Sequence, residues 1–426
     1  MTMTLRPIWL AIALAASSFA GNACDQIEAR TQAEQGKTAL LNCQFEAAQY
    51  HFSKAYEFYP EHHDIQIGYA FSELLYYADT QEVRAILNRL GISENLASLC
   101  REEVEPEKGG ENSDESKDDC DIFGFVGDAG TGDESESFDL EQIDPTLTWN
   151  EMIGVLHDQN DLLESAADHF DTISEFVEED SPWRTDLFGY RDVPFHKVDF
   201  ASLAFALHTL AAMVHAASAY SFDMPVYDTL RAYRDNDRTW MAGALNRTLF
   251  FPGKSGDSEL AYPELIKAIK SLQTAVQYIE IIKENSESNN PEDQNESHAC
   301  SSRNTLFYWE NMHYGILSDL KKASHIIDNS EQIMDLSAFL EPEMNVNIEQ
   351  MFSNLPVRTD ASDVIVEVQQ DRYVWHFEHQ IQQFNAFFTP ELFALDAGDF
   401  SLNDDIYYRL NSAWLRWKPE TLLYSE

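Results

Sequence analysis

The chain is poor in positive charge. Its 28 Lys and Arg stand against 74 Asp and Glu, for a net charge of −46 over 426 residues. A surface of that sign repels phosphates and anionic headgroups, which excludes nucleic acid as a partner. The general effect of such acidity is to keep a protein soluble. Catalytic signatures are also missing: there is no glycine-rich phosphate loop, no GxSxG elbow, no HExxH and no paired CxxC. These absences shift the expectation from chemistry to binding, with no catalytic residue, no metal site and no cofactor.

Long apolar runs are scarce as well. The only charge-free stretch of note inside the chain runs 23 residues from Phe200 to Phe222. It is long enough to span a bilayer, but it is alanine-rich, contains His208 and His215 and lacks clustered basic flanks. A buried central helix is therefore expected in place of a membrane span. Seven residues separate the two histidines, roughly 10 Å along a helix, too far to share one metal.

Cysteine is sparse, with five residues at 24, 43, 100, 120 and 300. So few and so scattered, they fit an oxidising compartment without defining a dense disulfide scaffold. Cys100 and Cys120 bracket a polar loop whose closure would remove roughly 3 kcal/mol of unfolded-state entropy, and that bridge is expected first. The odd count leaves one thiol over, either a free buried cysteine at 43 or 300 or an acylated Cys24.

What precedes Cys24 has the layout of an export signal. Arg6 lies in a short polar start, Ile8 to Ala16 form an apolar core, and small residues follow up to Ala20 and Ala23. The core is too short to span a membrane, so residues 1–23 read as a cleavable leader ending at Ala20 or Ala23. Gly21 and Asn22 fit a lipoprotein signal poorly, and lipidation of Cys24 stands as the alternative. The mature chain is then expected in the periplasm or outside the cell, or as an outer-membrane lipoprotein.

The clearest local pattern follows the leader. Gly36, Phe45, Ala48, Phe52, Ala55 and Pro60 alternate small and bulky residues at helical spacing. Ala48 and Ala55 lie two turns apart on one face, where a partner helix can approach, while Phe45 and Phe52 fill the gaps between helices. Pro60 then stops the helix. This stretch resembles a tetratricopeptide repeat. Gln32, Gln35 and Ala39 stand where that family usually has large apolar residues, as in a terminal, capping unit. The resemblance covers about residues 29–92. It implies a pair of helical hairpins, with a partner segment lying along the first helices near Arg30, Lys37 and Leu41. Arg30 and Lys37 would hold an acidic or C-terminal carboxylate group of that partner, unless they are ordinary surface bases paired with nearby acids.

The rest is read from periodicity. Residues 24–100 form the first helical region, and 101–145 an acidic loop: Arg101 to Asp144 alone hold 17 acids and 3 bases. The oxygen-rich run Asp128 to Glu136 lacks the spacing of a calcium loop, so a solvated charge run is expected there. Residues 146–284 read as a central helical region. Within it, Pro263 opens an amphipathic helix striped with Leu265, Ile269, Leu272, Val276 and Ile279. A polar linker covers 285–303 and a third helical region 304–426. Asp371 to His379 are expected to pack as an aromatic-rich helix in preference to a metal pair at His376 and His379. Val364, Val366 and Val368 alternate as in a short strand.

An all-α chain of hairpins and further packed helices follows. Its expected function is that of an exported scaffold binding an envelope protein or peptide. The alternative is a helical-toroid-like enzyme or ligand-binding protein acting on an envelope or extracellular polymer, built around Glu310, Asn311, His313, Tyr314 and His376.

Overall fold

The structure is a computed structural model. It describes residues 26–92, 140–177, 183–185, 193–248, 251–253, 258–288, 314–327, 333–335, 345–355, 357, 365–369, 372–376, 387–389, 393–396 and 399–402. The described chain is predominantly helical.

Three helices begin it: α1 (26–41), α2 (Phe45–Phe58) and α3 (His63–Asp79). Ala29 at the start of α1 meets Ala55 near the end of α2 and Ile65 at the start of α3. Leu40, at the other end of α1, meets Phe45 and Tyr76. These pairings make successive helices antiparallel, as three-residue and four-residue turns require. In α2 the buried residues are Phe45, Ala48, Phe52 and Ala55, one stripe at three- and four-residue steps. Phe52 is fully buried, and only glycine fits on either side of it. A Cβ on Gly36 would stand 2.8 Å from the Phe52 ring, and one on Gly68 would stand closer still, at 2.2 Å.

Short α4 (Gln81–Arg89) leads towards the acidic segment, and a 3₁₀ turn at Leu140–Gln142 brings the chain back beside it. Arg89 closes the junction by donating to Asp144 at 2.7 Å and Glu151 at 3.3 Å. Helix α5 (Trp149–Asp158) starts on a reciprocal cap in which Thr148 and Glu151 satisfy each other's backbone N–H.

The antiparallel row continues through α6 (Asn160–Phe176), α7 (Lys197–Ser218) and α10 (Ser258–Ser288), with β1 (Trp183–Thr185) and β2 (Val193–Phe195) forming a small hairpin between α6 and α7. Contacts fix the order. Glu73 of α3 faces Ser165 of α6, Asp171 of α6 faces His208 of α7, and His208 faces Glu264 of α10. Each helix thus packs on the one before and the one after. Phe71, Phe170, Phe195 and Phe200 pack together in this core, with ring centroids 5.0 to 6.3 Å apart; Phe71 meets Phe170 edge-on, and Phe200 stacks on Phe170 and Phe195. Helices α8 (Val226–Arg234) and α9 (Arg238–Thr248) form a short hairpin between α7 and α10, and α11 (Tyr314–Ser324) packs on α10.

Two expectations are corrected. Pro263 sits inside α10 instead of opening it, because the helix begins at Ser258; the cost is one backbone hydrogen bond near its start. The third region, 304–426, is not helical throughout. Besides α11 it holds α12 (Ile348–Ser353) and two antiparallel sheets. The first comprises β3 (Ile333–Asp335), β4 (Asn345–Asn347) and β7 (Phe388–Thr389). The second has the order β5-β6-β9-β8, from β5 (Ile365–Gln369), β6 (Arg372–His376), β8 (Phe393–Asp396) and β9 (Asp399–Leu402). Residues 372–376, expected in a helix, therefore pair as a strand with 365–369. Alternating valines and a run of Tyr, Val and Trp favour the pleated surface over a helix.

Candidate functional site

The residues with most chemistry among those described converge on α6. Its apolar stripe, Leu163, Ala166, Ala167, Phe170 and Ile173, is buried, and polar side chains flank the stripe on both sides.

On one side, α7 delivers a fully buried imidazole. His208 Nδ1 lies 2.7 Å from Glu264 Oε2, and its Nε2 lies 3.1 Å from Asp171 Oδ2. Burial alone would lower the pKa of His208, but the hydrogen bonds it donates to Asp171 and Glu264 outweigh it and raise the pKa to about 9. The ring is then an imidazolium donating from both nitrogens. Lys267 extends the network by donating to Asp168 at 2.8 Å and pairing with Glu264 at 2.9 Å, and Ser271 Oγ donates to Asp171. Burial works against the charge on Glu264, yet His208 and Lys267 keep its pKa below the ordinary value. Two turns along α7, His215 Nε2 donates to Glu164 at 2.6 Å, and Asn160 donates to the same carboxylate oxygen at 2.7 Å.

On the other side, buried Glu73 of α3 accepts from Ser165 Oγ at 3.0 Å and from His169 Nδ1 at 3.0 Å. His169 Nδ1 also donates to the Ser165 carbonyl at 2.7 Å. Tyr56 and Tyr69 pack edge-on against the His169 ring. Burial, followed by the charge and hydrogen bond of Glu73, pushes the Tyr69 hydroxyl up to about 12.

These groups pair mainly with one another, and only His215 Nδ1 and Asn160 Oδ1 among them are buried without a hydrogen-bond partner. Both nitrogens of His208 are engaged, so neither is available to a substrate. Among the described residues no group of three or more His, Cys, Asp or Glu is placed to hold a metal ion. The arrangement fastens α3, α6, α7 and α10 at fixed register, which is a mechanical role.

The residues singled out from sequence are distributed as follows. Arg30, Lys37 and Leu41 share one stripe of α1: Arg30 and Leu41 are exposed, and Lys37 is half-buried. Ile27 and Glu34 continue that stripe, and Ile27 is 68% exposed. Gly36, Phe45, Ala48, Phe52 and Ala55 are all buried around the α1–α2–α3 contacts. Pro60 is exposed just beyond α2, where its carbonyl accepts from Gln66. Tyr314 begins α11 and His376 ends β6, in different elements. Cys24, Cys100, Cys120, Cys300, Glu310, Asn311, His313 and His379 lie outside the described residues. Cys43 is disulfide-bonded, which removes one of the two positions offered for a free thiol.

The carboxylate partners of the histidines were missed in the sequence, although a signal was present. Glu164, Asp168 and Asp171 recur at four- and three-residue steps beside the apolar stripe of α6. A charge-free helix carrying two histidines calls for such a neighbour. Compared with family models, with curated proteins and with solved structures, the chain matches none.

Proposed function

We propose that the chain is an exported, tetratricopeptide-like helical scaffold that binds an envelope protein or peptide along α1. The observation that carries this reading is the outer stripe of α1, where Ile27, Arg30, Glu34, Lys37 and Leu41 follow at three- and four-residue steps. Leu41 is 42% exposed and Ile27 is 68% exposed. Apolar anchors at both ends with two bases between them suit an amphipathic, acidic segment. On a chain of net charge −46, bases grouped in this way favour an acidic partner over other faces of the same protein. The histidine–carboxylate clusters support the scaffold role, because they hold α3, α6, α7 and α10 at fixed register. The disulfide at Cys43 fits a compartment that oxidises thiols, as the leader-like residues 1–23 do.

The test is capture from cell envelopes with the mature chain and with an Arg30→Ala, Lys37→Ala variant. Loss of the captured partner from the double variant, with unchanged melting temperature, supports the reading. Equal capture at equal affinity ends it.

A further inference from the structure

We propose that the face where α3 meets α6, around His169 and Phe176, binds a neutral polysaccharide. Its inner wall is set by buried Glu73. His169 Nδ1 stands 3.0 Å from Glu73 Oε2 and 2.7 Å from the Ser165 carbonyl, and both of these are acceptors. The nitrogen that faces two acceptors carries the proton, so in the neutral ring Nε2 is left as a lone-pair acceptor. Ser165 Oγ donates to both Glu73 oxygens, at 3.0 Å each, which keeps the carboxylate in place. Among the described residues Nε2 meets no hydrogen-bond partner, nor is it one of the buried atoms left unpaired. The His169 side chain is 18% exposed, so this second nitrogen is on its open side. A ring held this firmly from behind presents a fixed acceptor to an incoming hydroxyl.

Aromatic rings continue the surface. Tyr56 and Tyr69, themselves half-buried, pack edge-on against His169 with centroids at 5.5 and 4.6 Å. Phe176, the last residue of α6, is 46% exposed. It stacks with exposed His63 at the start of α3, with centroids 5.6 Å apart and planes 19° from parallel. His169 and Phe176 are seven residues apart, hence on one face of α6 and roughly 10 Å from each other along it. That is the span of a pair of linked pyranose rings. Exposed apolar surface gathered in one place, in contrast to single scattered residues, marks a ligand face.

These features select one chemistry. The C–H face of a pyranose ring is apolar and lies flat against an aromatic ring, while its hydroxyls need partners at the rim, which Nε2 supplies. The exposed acids Asp64 and Glu175 are the chain neighbours of His63 and Phe176. Carboxylates in that position accept further hydroxyls and repel an anionic polymer. The net charge of −46 acts in the same direction over a longer range. An acidic peptide, the partner proposed for α1, is turned away here for the same reason. The two faces are therefore separate, and this one stands whether or not α1 binds a partner.

The experiment is calorimetric titration of the full chain with cellohexaose, chitohexaose and maltohexaose, and with polygalacturonate as the anionic counterpart. The expected result is binding of at least one neutral hexasaccharide, weakened roughly tenfold or more by Phe176→Ala with the melting temperature unchanged. His169→Asn keeps a donor towards Glu73 but removes Nε2, and it should weaken the same sugar. Arg30→Ala, Lys37→Ala should bind that sugar as the wild type does. The proposal is overturned if no neutral hexasaccharide binds, if Phe176→Ala and His169→Asn bind as tightly as the wild type, or if polygalacturonate binds more tightly than the neutral sugars.

Discussion

Phe52 and Gly68 are complementary: the ring of one occupies the space where a side chain on the other would stand, 2.2 Å from its Cε1. This contact joins α2 to α3, and Gly36 makes the matching space on α1. An exposed glycine inside a helix is improved by alanine by up to about 1 kcal/mol. Here the sign reverses, and Gly68→Ala is expected to destabilise by roughly 1–3 kcal/mol through overpacking. Phe52→Ala should cost about 3–5 kcal/mol. Urea unfolding of both single variants and the double variant checks this, with the glycine penalty shrinking once Phe52 is gone.

The buried imidazolium of His208 predicts a stability change on the alkaline side. Its pKa is about 9 in the folded chain against 6.5 as the ordinary value. The folded state therefore holds its proton more tightly, and that contribution is complete below pH 6.5 and lost as pH rises through 9. The size is about 3–4 kcal/mol, from 2.5 pH units at about 1.4 kcal/mol each. Denaturant midpoints measured from pH 6 to 10 should fall across this window in the wild type. In His208→Gln the fall should be smaller, from a lower starting stability, because Glu264 loses a charged partner.

Glu73 is expected to hold α6 against α3. Replacing it with alanine strips Ser165 and His169 of their shared acceptor, and hydrogen bonds to a charged group are worth about 1.5–3 kcal/mol. Glu73→Ala should therefore destabilise by a few kcal/mol. Amide exchange should quicken in α3 and α6 ahead of α10, which Glu73 does not touch.

Much of the helical row was legible because α2, α6 and α7 place small and large apolar residues at steps of three and four. Phe45, Ala48, Phe52 and Ala55 were readable individually as packing residues. The space on α3 was not, since Gly68 reads as a weak helix residue until the ring that needs it is in place. The polar clusters were half-legible: His208 and His215 were evident in a charge-free helix, but their partners come from α6 and α10, which periodicity cannot rank as neighbours. Strand β5 was readable from its alternating valines, but β6 was not, because aromatic residues such as Tyr373 and Trp375 suit a packed helix or a strand equally until strand partners are known.

We propose that the outer stripe of α1 is a binding face. It is tested by the affinity of whatever partner the chain captures from cell envelopes, measured by calorimetry for wild type and for Arg30→Ala, Lys37→Ala. Two lost charge-assisted contacts at about 1–1.5 kcal/mol each predict an affinity weakened roughly thirty-fold or more, with the fold intact. An unchanged dissociation constant in a variant that melts like the wild type would contradict it.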